Sequence, residues 1–220
     1  MELERCFPVW SKLTPRQQET LSGAALDRTV PKGSVIHRDH LECTGLVLVG
    51  SGQLRAYILS EDGREVTIYR LLDGDVCLFS ASCILHNIQF DVSIEAEKDT
   101  QVLVIPPEVY RALMEESAPV ANYTNDLMSS RFSEVMWRIE QIMWKSFDRR
   151  LASFLLEESA LEGTDTLSIT HEKIAQHLGS AREVVTRMLR CFQQEGLVKL
   201  SRSRVELLDR KGLARLARSA

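Results

Sequence analysis

The 220-residue chain is predicted to be an α+β protein with an N-terminal antiparallel β-roll, one long helix and a C-terminal winged helix-turn-helix. Three observations predict it. Residues 27–105 alternate short β-branched runs with turn signals. Pro119 to Lys145 contains no glycine and no second proline. "LSITHEKIAQHLGSAREVVTRMLRCFQQEGLVKL" sets two amphipathic helical segments on either side of Gly179. The corresponding domains are 1–118, 119–146 and 147–220.

In chain order, "SVIHRD", "TGLVLVG", "GQLRAYIL", "REVTIYRLL", "DVSIEAE" and "TQVLVIP" read as strands. The turn signals "PKG", "GSG", "EDG", "DGD" and "EKD" separate them. Many short, closely spaced strands imply an antiparallel sandwich or barrel. "SEDGREV" reads as a hairpin, with Asp62-Gly63 supplying the positive φ of a tight turn. "PEVYRALMEES" is a short helix closed before Pro119. The next helix starts at Pro119, which has no N–H to leave unpaired in a first turn, and runs for roughly 40 Å at the usual helical rise. Met128, Phe132, Val135, Ile139 and Ile142 step by four and three along it, which is the seam of a dimeric coiled coil. A further helix begins near Phe147-Asp148, with Asp148 as its N-cap and Leu151, Phe154 and Leu155 on its buried side.

Composition excludes several classes. The chain is 44% hydrophobic and 26% charged, as ordinary globular proteins are. Runs such as "LVLV" are far too short to cross a bilayer, and the acidic start "MELERCFPVW" is unlike a signal peptide, so a cytoplasmic protein without a membrane partner is expected. Five scattered cysteines without a C-x-x-C pair favour reduced thiols over a disulfide framework. No nucleophile elbow, phosphate loop or H-E-x-x-H motif points to an enzyme. Residues 1–145 carry 14 basic and 21 acidic side chains, whereas residues 146–220 carry 13 and 10. The basic rear suits a polyanionic partner.

The motif around Gly179 gives that partner a chemistry. Thr170 can cap the first short helix, residues 171–178, and Ile174, Ala175 and Leu178 face inward. Gly179 can take the left-handed conformation that ends it. A second helix starts near Ser180 or Ala181, with Val185, Leu189 and Phe192 on one face. Arg182, Glu183, Thr186, Arg187 and Arg190 lie on the other. Arginine can grip O6 and N7 of guanine, and a carboxylate can accept from N4 of cytosine, so this face is equipped to read base edges in double-stranded DNA. "GLVKLSRSRVELLD" follows as two strands around a basic tip, where Lys199, Arg202 and Arg204 suit phosphate. Thr170, His171 and Ser180, at the helix starts, complete the candidate DNA-contacting set.

In this arrangement, and above all at "IAQHLGSAREVVTRML" and "RRLASFLL", the chain resembles the cyclic-AMP receptor protein/FNR family of bacterial transcription regulators. Arg182, Glu183 and Arg187 match the receptor pattern R-E-x-x-x-R, and Glu183, Thr186 and Arg187 match the FNR pattern. The resemblance implies a cyclic-nucleotide-binding-like jelly roll, a homodimer and a palindromic operator. It also implies RNA polymerase as a partner if the protein activates, and a small-molecule effector of unknown identity.

The resemblance places "GDVCLFSASCILH", residues 74–86, where cyclic-nucleotide-binding members carry a phosphate-neutralising arginine. No arginine lies between Arg70 and Arg111, so an effector other than a cyclic nucleotide is expected. Gly74, Asp75, Cys77, Ser80, Ser82 and Cys83 are the candidate effector residues, joined by Met136 and Trp137, near which the family's purine contacts map. Only Cys6 lies near the start, unlike the cysteine-rich segment of iron–sulfur members. Two alternatives stay open. Cys77 and Cys83, with His86, could respond to redox state or a metal, or the C-terminal domain could make protein contacts only. His37, His40 and Cys43 have ligand-like spacing but no evident fourth ligand. No cofactor is identified.

Overall fold

The structure is a computed structural model that describes residues 3–37, 44–84 and 92–218, with the backbone only of residues 82–84. It divides into two compact units, Met1–Leu59 with Ile68–Val135, and Ser60–Thr67 with Met136–Ala220.

The first unit opens with helix α1 (Leu3–Cys6), a 3₁₀ turn and helix α2 (Pro15–Ala24). Thr14 and Gln17 form a capping box, each side chain accepting from the other's backbone N–H. Eight strands follow: β1 (Leu26–Val30), β2 (Val35–His37), β3 (Leu46–Ser51), β4 (Leu54–Leu59), β5 (Glu65–Leu71), β6 (Val76–Cys77), β7 (Ser93–Ala96) and β8 (Thr100–Ile105). They form two four-stranded sheets, ordered β1-β8-β3-β6 and β2-β7-β4-β5, in which β1–β8, β8–β3, β3–β6, β2–β7 and β7–β4 pair antiparallel. This is the expected β-roll. Strands β1 and β6 are additions to the sequence reading.

The apolar run of β3 has a physical reason. Alternate residues point to opposite faces, and both faces of its sheet are covered. Val47 and Val49 enter the core between the sheets. Leu46 and Leu48 enter an outer core built with Phe7, Leu21, Tyr110 and Val120. The outer cover comes from α1, α2, α3 (Pro107–Glu116) and the start of α4 (Ala118–Trp144). Gly52 turns β3 into β4 with φ of +103°, and a Cβ there would sit 2.6 Å from the Asp99 carbonyl oxygen. Only glycine fits.

Helix α4 has 27 residues, and Met128 and Val135 of the predicted seam pack on the cores of the first unit. Phe132, Ile139 and Ile142 are exposed, as are Met136, Trp137, Met143 and Trp144.

The second unit contains α5 (Phe147–Glu162), β9 (Thr166–Leu167), α6 (His171–Leu178), α7 (Arg182–Gln194), β10 (Val198–Ser201), β11 (Arg204–Leu207) and α8 (Arg210–Arg218). Its core gathers Leu151, Phe154 and Leu155 of α5, Ile174 of α6, Val185, Leu189 and Phe192 of α7, and Leu213 of α8. Asp148 lies inside the first turn of α5. The N-cap is Ser146, so the predicted cap is displaced by two residues, and Ser146 makes no side-chain cap bond. The wing has three strands ordered β10-β11-β9, not two, because Leu167 pairs with Val205. In the hairpin Ser60–Thr67 only Gly63 takes positive φ, at +80°. Ser60 and Arg64 close the hairpin around a three-residue loop, with Gly63 N–H donating to the Ser60 carbonyl.

Candidate nucleic-acid interface

The interface is built on a fixed turn. The Thr170 hydroxyl accepts from the Lys173 N–H at 3.1 Å and starts α6. Gly179 ends it in the left-handed region at φ +62°. Ala175 is buried, and its carbonyl accepts from the Gly179 and Ser180 N–H groups. The Arg150 guanidinium donates to the Leu178 carbonyl at 3.0 Å, so α5 holds the end of α6. Val66 of the hairpin forms an isolated antiparallel bridge with Leu178. The hydroxyl of Thr67 lies 2.8 Å from Nδ1 of His177, whose ring stacks at 5.2 Å on Phe154.

Helix α7 then presents one buried and one open face. Val185, Leu189 and Phe192 lock it to the core, while Arg182, Glu183, Arg187 and Arg190 are exposed. Among the described residues none of these three arginines is held in an ion pair. Their guanidinium groups therefore keep all their donors for a ligand. Thr186 is half-buried and turned toward α6, where its hydroxyl lies 2.9 Å from Nδ1 of His171. Ser180 is half-buried at the turn.

The wing tip carries Arg202 and Arg204, both exposed, around Ser203 at φ +56°. Lys199 faces Glu206 across the hairpin at 3.7 Å, so its charge is shared within the wing. Gln193 ties helix to wing by accepting from the Leu200 N–H at 3.2 Å. Neither this link nor that between His171 and Thr186 has a sequence signature, because both join residues on separate elements.

The candidate effector stretch is mostly wall. Gly74 has φ of +87°, and Asp75 accepts from the Leu72 N–H, which together make the turn into β6. Cys77 and Ser80 are fully buried. The Ser80 hydroxyl donates to the Cys77 carbonyl, and burial pushes the Cys77 thiol above its ordinary pKa. A 3₁₀ turn, Phe79–Ile84, follows. The side chains of Ser82 and Cys83 lie outside the described residues, as do His40, Cys43 and His86. Met136 and Trp137 are exposed on α4 and belong to the second unit. The cation that does reach this wall comes from α4. The buried Arg131 lies 3.9 Å from Asp75, stacks 4.7 Å above the Tyr69 ring and donates to both carboxylate oxygens of Glu134. The loop's own sequence carries no sign of it, because Arg131 arrives from some fifty residues downstream.

Residues 149–216 match the Crp-like helix-turn-helix domain, and residues 27–117 match the cyclic nucleotide-binding domain. The chain is 62% identical to a solved transcriptional regulator of the crp/fnr family from Eubacterium rectale ATCC 33656, covering 97% of this chain and 99% of that one with a TM-score of 0.95. It is 27% identical over 210 residues to the cyclic AMP receptor protein of Thermus thermophilus, covering 96% of each. It is also 27% identical to the transcriptional activator protein anr of Pseudomonas aeruginosa, covering 96% of this chain and 88% of the relative.

Proposed function

Because the chain belongs to the Crp/FNR family and is a DNA-binding transcription regulator, not an enzyme, we propose that it acts in the cytoplasm as a homodimer on a palindromic operator. Helix α7 lies in the major groove. Arg182, Glu183 and Arg187 read base edges, and Arg190, Arg202 and Arg204 meet phosphate with Thr170, His171 and Ser180. The observation that carries this is the open face of α7: a helix locked by three buried apolar residues, with unpaired arginines outward.

The dimer rests on α4. Phe132, Met136, Ile139 and Met143 are all exposed, two of them above 60%, and they step by four, three and four. Such a stripe needs a second copy to leave water.

The effector is not a cyclic nucleotide. The loop supplies no arginine for a cyclic phosphate, and the buried Arg131 already has Glu134 on it. A thiol switch at Cys77 gains no support, because a buried thiol with a raised pKa is a poor nucleophile. A gel shift on the chain's own promoter region, with scrambled DNA as control, tests the reading. Retardation of the promoter fragment alone is expected. Equal affinity for both would leave α7 without a reading role and favour protein contacts instead.

A further inference from the structure

Thr186 has one hydroxyl proton and two neighbours. Its Oγ1 donates to the Arg182 carbonyl oxygen at 2.9 Å, and a carbonyl can only accept. The same Oγ1 lies 2.9 Å from Nδ1 of His171. With the hydroxyl proton already placed, the oxygen must accept in this second contact and Nδ1 must donate. The neutral imidazole therefore carries its proton on Nδ1 and a lone pair on Nε2.

His171 is the first residue of α6, half-buried, with α7 packed against it. The charged groups acting on the ring are Arg182 and Arg190 of α7, both cationic. Burial first, and these two cations next, hold the imidazole below its ordinary pKa. At neutral pH the free protein thus holds a neutral histidine whose other ring nitrogen, Nε2, can only accept.

That is the wrong chemistry for a phosphate, which also only accepts. In a helix-turn-helix the first helix crosses the sugar–phosphate backbone, so the DNA reading above puts a phosphate at the start of α6. A phosphate there would offset Arg182 and Arg190 and favour the charged ring. We propose that His171 takes up one proton from solvent when the protein binds DNA, and that the resulting imidazolium donates from Nε2 to a backbone phosphate while Nδ1 stays on Thr186. The proposal rests on the DNA-reading function. It adds that binding is proton-linked, with a net uptake of up to one proton per protomer.

The sign follows. The bound state holds the proton more tightly than the free state, so affinity is highest at low pH and falls as pH rises through the histidine range. About tenfold weaker binding per protomer at about pH 8.5 than at about pH 5.5 is the size expected for a histidine that gains one phosphate partner.

The probe is a duplex of about 30 base pairs that the full chain selects from a random-sequence pool, long enough for two half-sites. Fluorescence anisotropy at fixed salt gives affinity against pH. Calorimetry in two buffers of different ionisation enthalpy counts the protons taken up. The expected result is net uptake by the natural chain and a flattened profile for His171→Gln, which keeps a donor that does not titrate. Zero uptake on a duplex that binds specifically, or an unchanged profile in His171→Gln, overturns the proposal and leaves the DNA reading intact. Failure to select any duplex overturns both. The proton count needs no variant, so a misfolded His171→Gln does not remove the test.

Discussion

Arg182 is exposed and in no ion pair among the described residues, so its donors are free for the proposed base contact. Arg182→Ala is expected to weaken binding to a selected operator by about 1–3 kcal/mol and to relax preference at one base pair. Competition among single-base operator variants measures this, and a uniform loss across all of them would make Arg182 a phosphate contact. Cys77 is the opposite case, fully buried and with its thiol pKa raised, whereas Cys191 is exposed on α7. Iodoacetamide labelling of the native chain, mapped by peptide mass spectrometry, should modify Cys191 and spare Cys77. Rapid labelling of Cys77 would reopen the redox reading. At this scale the sequence was informative about side-chain type and silent about pairing. Arg187 and Arg190 were identifiable as a basic face. That Lys199 meets Glu206, or that Thr186 turns inward to His171, depends on which elements the fold brings side by side.

At the scale of elements, the turn between α6 and α7 carries the geometry. Gly179 holds φ of +62°, and a Cβ there would collide with a Val66 side-chain carbon. Gly179→Ala is expected to destabilise the chain by about 1–2 kcal/mol from the left-handed backbone alone. Urea denaturation measures it, and an unchanged midpoint would show that the turn relaxes freely. This turn was legible because its signals are local: Thr170 caps, apolar residues recur at helical spacing, and glycine ends the helix. Strands β3, β4 and β8 were legible for the same reason. Helix α2 carries a local signal too, the Thr14–Gln17 capping box with Pro15 between them. Strands β6 and β9 are two residues each, too short for any periodicity, and only their partners define them. The cap of α5 was misplaced because Ser146 and Asp148 are both good capping types in sequence.

At the scale of the molecule, the claim is a dimer that places two copies of α7 on one DNA. The exposed stripe on α4 supports it, and a charge inside that stripe should break it. Phe132→Glu with Ile139→Glu is expected to weaken self-association by about a hundredfold or more, since an unpaired carboxylate in an apolar seam costs several kcal/mol. Sedimentation across a concentration series reads this, and an unaltered dimer would move the interface elsewhere. Selection of operators from a random-sequence pool tests the central claim most directly. The account predicts an inverted repeat, with half-sites about 10–10.5 base pairs apart centre to centre, whose enrichment is lost in Arg187→Ala. Enrichment of a single asymmetric site, or of an inverted repeat that Arg187→Ala still selects, would contradict it.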